Sequence, residues 1–154
     1  MRLTKFSDYA IRVLILAASR PERNITVEEA AAVYDISAAH LKKVVRALTQ
    51  AGFLDGVRGP GGGYLLARTA DQMRASDIIL AVDEPIQTTR CSPGTPAGCH
   101  HNQGRCLTHD LWEELGNQIY LFLSSVTLED ICQRRVLGSS GLDLTANAAR
   151  DAAQ

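Results

Sequence analysis

The chain has 154 residues, enough for one domain or one compact module with an appendage, and its 45% hydrophobic and 21% charged residues suit a packed core. Formal net charge is −1, yet residues 1–68 carry ten Lys/Arg against six Asp/Glu, while residues 69–154 carry six against eleven. A basic front half joined to an acidic back half suits a nucleic-acid reader with a regulatory or pairing half, and the lack of any span-length apolar run excludes a membrane protein.

The start, MRLTKFSDYA, interrupts its apolar residues with polar ones at once, unlike a signal peptide. A cytoplasmic, reducing location is expected, where clustered cysteines are ligands rather than disulfides. The spacing predicts a first helix over residues 5–19, with Ile11, Leu14, Ile15 and Ala18 on one face, ended by Pro21. Thr26, with Glu29 three residues on, has the pattern of a capping box and opens VEEAAAVYD. After a tight Asp35-Ile36-Ser37 turn, Ser37 is expected to cap a third helix, AAHLKKVVRALTQAG, closed by Gly52. Its apolar face is Leu41, Val44, Val45 and Leu48, which leaves His40, Lys42, Lys43 and Arg46 on other faces. Two short helices ending in a basic one read as a helix-turn-helix.

FLDGV and YLLA follow as short strands around RGPGGG, residues 58–63, a turn in which glycine frees the backbone. A hairpin directly after a helix-turn-helix is a wing. Ser76 is expected to cap DIILAVDE, which Pro85 ends, and a loop of about residues 86–106 comes next. Leu111, Leu115, Ile119, Phe122 and Val126 then repeat at helical steps, with Trp112 and Leu123 widening the stripe. Such a helix exceeds what a monomer needs, so a homodimer paired through it is expected. Thr127 with Asp130 opens a last helix, LEDICQRR, in which Cys132 reads as a small buried hydrophobe. The expected fold is mainly α with a small β wing. It divides into a winged helix-turn-helix at 1–70, the loop and dimerisation helix at 71–137, and a disordered tail at 138–154.

A recognition helix presents its first residues to base edges and phosphates in the major groove. Ser37, His40, Lys42 and Lys43 are therefore the candidate contacts to a double-stranded DNA operator, with Arg58 on a glycine-rich tip suited to a narrow minor groove. A bare solvated face is the competing reading for the α-helical cations. The adjoining hairpin argues against it.

Three of the four cysteines, Cys91, Cys99 and Cys106, fall with His109 in CSPGTPAGCHHNQGRCLTH. Soft thiolates and an imidazole on one glycine- and proline-rich stretch are what zinc or an iron–sulfur cluster requires. The gaps of seven, six and two residues match no common zinc-finger spacing. Idle exposed thiols would invite oxidation without packing benefit. His100 and His101 compete with His109 as the fourth ligand, and so does Asp8, whose default role is a helix-dipole partner. The chain has no close Cys-x-x-Cys pair and no glycine-rich phosphate loop before a helix, which argues against an enzyme.

MRLTKFSDYA, VRGPGGGYLLA, CLTHDLWEEL and LSSVTLEDI, in that order over about residues 1–137, closely resemble the IscR-type iron–sulfur transcription regulators. The resemblance implies a homodimeric winged-helix repressor or activator that carries a [2Fe–2S] cluster, with Cys91, Cys99, Cys106 and His109 as its ligands. It also puts Ser37, Lys43 and Arg58 at DNA-contacting positions. The cysteine gaps are longer than is usual for IscR, and Lys42 stands where such proteins carry an acidic residue that tunes sequence choice. KFSDYAIRVL and HLKKVVRAL look more like the related nitric-oxide sensor NsrR, in which an aspartate matching Asp8 can be a ligand from the partner subunit.

Overall fold

The structure, a computed structural model, describes residues 5–82 and 108–136. Within them the chain forms α1 (Lys5–Ala18), α2 (Val27–Tyr34), α3 (Ala38–Gln50), β1 (Leu54–Val57), β2 (Gly63–Leu66), a 3-10 turn (Ala70–Gln72), α4 (Ala75–Val82), α5 (His109–Ser125) and α6 (Leu128–Cys132). This is the mainly helical architecture with a two-stranded wing that the sequence predicts. The loop at 86–106 and the tail at 138–154 lie outside the described residues.

Local chemistry sets the helix-turn-helix. The Thr26 hydroxyl accepts the Glu29 N–H at 3.1 Å and so satisfies one orphan donor at the start of α2. At the other end Asp35 takes a left-handed conformation, φ 52° and ψ 47°, which short polar side chains tolerate better than most. The Ile36 N–H then closes back on the Ala31 carbonyl at 3.1 Å, so α3 can begin at Ala38. α3 buries Leu41, Val44, Val45 and Leu48, as its spacing requires. It ends where Gly52, at φ +73°, lets the Gly52 N–H reach Thr49 O and the Phe53 N–H reach Leu48 O, at 3.1 and 2.9 Å. Phe53 is thereby folded under the helix and buried.

β1 and β2 pair antiparallel from Leu54 opposite Leu66 to Val57 opposite Gly63. Ile25, just before α2, adds a third rung: it exchanges backbone hydrogen bonds with Tyr64 at 2.9 and 2.8 Å. A Cβ at position 63 would collide with the Ile25 carbonyl oxygen, so only glycine permits this approach.

One core receives side chains from both ends of the chain. Leu14, Ile25, Leu41, Leu48, Leu54, Met73, Ile78 and Leu128 are all fully buried in it. Each such side chain contributes about 1.5–3 kcal/mol of transfer free energy. The Ala75 N–H donates to Val126 O at 2.9 Å and the Leu128 N–H to Met73 O at 2.8 Å, which ties the end of α5 to the start of α4. The predicted capping box forms at α6: the Thr127 hydroxyl accepts the Asp130 N–H and the Asp130 carboxylate accepts the Thr127 N–H.

Two expectations need correction. Ser76 does not cap α4; it lies buried inside the first turn of a helix that already begins at Ala75. The bridge to Val126 organises that start instead, and a tertiary bond has no local sequence signal. Cys132 is exposed rather than buried, because α6 lasts only five residues and Leu128 is its fully buried anchor. α5 behaves differently from the other helices. It packs on α4, yet Leu111, Trp112, Leu115, Tyr120, Leu121 and Phe122 remain exposed along it, Leu111 by 61%.

Candidate nucleic-acid interface

The outward face of α3 and the tip of the wing carry the sequence-predicted contacts. Ser37 sits at the N-cap position of α3, exposed, but its hydroxyl makes no capping hydrogen bond and is available to an external acceptor. His40, Lys42 and Lys43 are exposed on the first two turns of α3. Leu41 between them is fully buried, which fixes the helix rotation and so the direction in which the cations point. The His40 ring meets Phe6 of α1 edge-on, with centroids 6.2 Å apart at 85°, and Phe6 in turn packs edge-on against Tyr9. The start of α1 thus braces the first turn of α3.

Arg58 follows β1 directly and is exposed. Gly59 and Gly61 hold positive φ, 99° and 73°, and a Cβ on Gly62 would lie 2.5 Å from Val57 O. The tip is therefore tight enough to require glycine. Besides the Ile25–Tyr64 rung, the Asn24 side-chain amide donates to Gly61 O at 3.0 Å. These bonds fix the wing to the segment leading into α2. Sequence reasoning missed them, since pairing across some forty positions leaves no periodic trace, although Asn24 beside a β-branched Ile25 hinted at a strand end.

Charge separates this face from its surroundings. Arg12 binds Asp8 at 2.7 Å and lies over the Tyr34 ring at 5.7 Å; the Asp8 hydrogen bond and charge raise its pKa further. Glu29 holds both Arg20 and Arg23, and Arg135 binds Asp130 at 3.0 Å. Lys42, Lys43, Arg46 and Arg58 make no ion pair among the described residues. Cations left unpaired on a helix–wing surface are suited to polyanion binding.

Among the proposed metal donors, His109 is the first residue of α5, while Cys91, Cys99, Cys106, His100 and His101 lie outside the described residues. Asp8 is in the first turn of α1, exposed and engaged by Arg12, as a helix-dipole partner would be. Among the described residues no three His, Cys, Asp or Glu side chains converge on a common point, and no helix is long and apolar enough to cross a membrane.

The fold is shared with solved regulators. CymR, the global cysteine regulator of B. subtilis, superposes with a TM-score of 0.73 at 24% identity, covering 87% of this chain and 98% of that one. T. potens IscR superposes at 0.71 and 22% identity, covering 88% of each chain. In sequence, the transcriptional regulator IscR of Photorhabdus laumondii is 37% identical over 132 residues, 85% of this chain and 79% of its own length. A family model described as "Rrf2: Iron-dependent Transcriptional regulator" matches residues 3–134. These relatives are transcriptional regulators and not enzymes. With most of its length matched, the chain belongs to the Rrf2 family of transcriptional regulators and is IscR-like within it.

Proposed function

We propose that the chain is a homodimeric regulator that reads a double-stranded operator with Ser37, His40, Lys42, Lys43 and Arg58, and whose grip on DNA is set by an iron–sulfur cluster held by Cys91, Cys99, Cys106 and His109. The observation that carries the DNA half is the set of cations on α3 and the wing that make no ion pair among the described residues, while Arg12, Arg20 and Arg23 on the α1–α2 side are each paired with a carboxylate. In this division residues 1–70 read DNA, and residues 71–137 carry the cluster and pair the two chains.

The donor set fits the group. Three thiolates suit iron and sulfide, and an imidazole can replace a thiolate on one iron of a [2Fe–2S] centre. Zinc takes the same donors, so metal analysis separates the two. When bound, the cluster supplies a redox-active centre sensitive to oxidants. The engagement of Asp8 by Arg12 favours His109 over Asp8 as the fourth donor.

The chain's own residues supply a route between the two halves. His109 opens α5, α5 packs on α4, and α4 packs on both α1 and α3. A shift of α5 can therefore reach α3 by way of α4, whose Ile78 and Ile79 are buried. Two arrangements of these helices, with different DNA affinity, make a switch that ligation at residues 91–109 biases.

Anaerobic purification followed by visible absorption, iron and sulfide assays tests the cofactor: a coloured, iron- and sulfide-bearing protein is expected, and a colourless zinc protein overturns it. DNA-site selection with cluster-loaded, cluster-free and Cys99→Ala protein tests the sensing. Identical sites and affinities for all three would end that part of the reading.

A further inference from the structure

Between the outward face of α3, the start of α2 and the base of the wing lies an open groove of about 530 Å³. Its walls include Thr26, Glu28, Lys42, Arg46, Gln50 and Tyr64. Small-molecule sites are mostly enclosing, whereas this groove is open to solvent and is rimmed by the exposed charged side chains of Glu28, Lys42 and Arg46. The groove suits a charged, extended strand that lies across it.

Arg46 follows Lys42 by one turn of α3. At about 100° per residue it sits about 40° around the helix from Lys42 and about 60° from Lys43, between the two and about 6 Å further along the axis. Lys42 and Arg46 both line the groove, and neither makes an ion pair among the described residues. Opposite them stands Glu28, exposed on the first turn of α2. The wing side cannot fold away, because Tyr64 and Gly61 are bonded to Ile25 and Asn24.

We propose that this groove is a phosphate cleft: Arg46, with Lys42, grips one backbone phosphate of the bound duplex, while Glu28 holds the affinity down by repelling it. Arg46 is thus a positioning residue for the operator, adding binding that does not depend on base sequence. The proposal deepens the reading in which α3 and the wing face DNA, and rests on it. A phosphate contact releases condensed counterions, so log affinity falls with log salt by about 0.9 per contact. Losing one contact at about 0.1 M salt therefore costs roughly eightfold. A homodimer has two such clefts and loses both.

The test compares the full chain with Arg46→Ala, Glu28→Gln, Lys43→Ala and Arg58→Ala on a selected operator and on a random-sequence duplex, across a salt titration. Arg46→Ala is expected to weaken both duplexes equally, lower the salt slope by about 2 per dimer and leave the operator preference intact. Glu28→Gln is expected to tighten both by about threefold, a gain that loss of folding cannot mimic. Both side chains are exposed, and thermal melts matching the wild type exclude a folding effect on Arg46→Ala. If Lys43→Ala and Arg58→Ala weaken binding while Arg46→Ala and Glu28→Gln leave slope and affinity unchanged, the cleft is wrong and the wider interface stands. If none of the four changes binding, both fall.

Discussion

α3 and α5 are both amphipathic, 13 and 17 residues long, and the chain treats them in opposite ways. α3 spends its apolar stripe entirely inside, with Leu41 and Leu48 fully buried, and presents cations outward. α5 keeps much of its stripe outside, with Leu111, Leu115 and Phe122 all exposed. A helix that has completed its core can offer only its polar side to a partner, which here is positive and suits DNA. A helix about 25 Å long with an open apolar face lacks a covering surface, and in the proposed homodimer a second copy of the same helix supplies it by twofold symmetry.

The largest effect should come from charging the open stripe. Leu111→Glu with Phe122→Glu places two carboxylates per chain where the pairing surface is proposed, and symmetry doubles each loss. At about 2 kcal/mol or more per buried anchor, the dimer dissociation constant rises by a thousandfold or more, read by sedimentation equilibrium. A wild-type chain that sediments as a monomer would remove the proposed use of α5. Next comes the closed stripe. Leu41→Ala should cost about 2–5 kcal/mol in urea unfolding, because a cavity opens in the core beneath α3. Leu115→Ala should barely change the stability of the monomer, since that side chain is 41% exposed. Equal losses at the two positions would erase the contrast between the helices.

The outward face of α3 gives a smaller effect. Lys43→Ala and Arg58→Ala are each expected to weaken operator binding by about 1–3 kcal/mol while leaving the melting temperature unchanged, because both residues are exposed and free of ion pairs among the described residues. Arg12→Ala serves as the comparison. Its charge is already neutralised by Asp8, so its loss should alter DNA affinity less than either. A fluorescence-anisotropy titration ranks the three, and an Arg12→Ala defect as large as the others would move the interface onto α1.

How much of this was legible in the sequence follows from what each feature depends on. The buried face of α3, the Thr26 cap, the capping box at Thr127 and the stripe of α5 are local, encoded within a turn or two, and they read directly. The return arm of the box expected at Thr26 does not form, because the Glu29 carboxylate binds Arg20 and Arg23 instead. The rung between Ile25 and Tyr64, the bridge that starts α4 at Ala75 and the brace of Phe6 on His40 depend on pairing between distant segments and left no periodic signal. Cys132 failed for a related reason: residue type argued for burial, but the shortness of α6 decided exposure. Of the candidate site, the outward direction of His40, Lys42 and Lys43 was legible because burial of Leu41, Val44 and Val45 dictates it. Arg46 was not singled out, because its groove exists only once the wing has folded beside α3.

The smallest effect tests how α5 is joined to the core that α3 helps to build. Val126 and Leu128 carry that junction, and the Thr127–Asp130 box holds it in place. Thr127→Ala removes both the hydroxyl acceptor for the Asp130 N–H and the hydroxyl donor to its carboxylate, and should cost about 1 kcal/mol, a fall of about 4 °C in melting temperature. The hydrogen bonds from Thr127, first from its side chain and then from its backbone, hold the Asp130 carboxyl below its ordinary pKa of 3.8, with Arg135 adding to them. A depressed carboxylate stabilises the fold above its unfolded pKa, and this contribution is lost as pH falls through the lower folded value. The wild-type advantage over Thr127→Ala should therefore be full at neutral pH and shrink below about pH 4. Melts of the two proteins across that range check it, and a gap independent of pH would mean that the box caps α6 through the neutral hydroxyl alone.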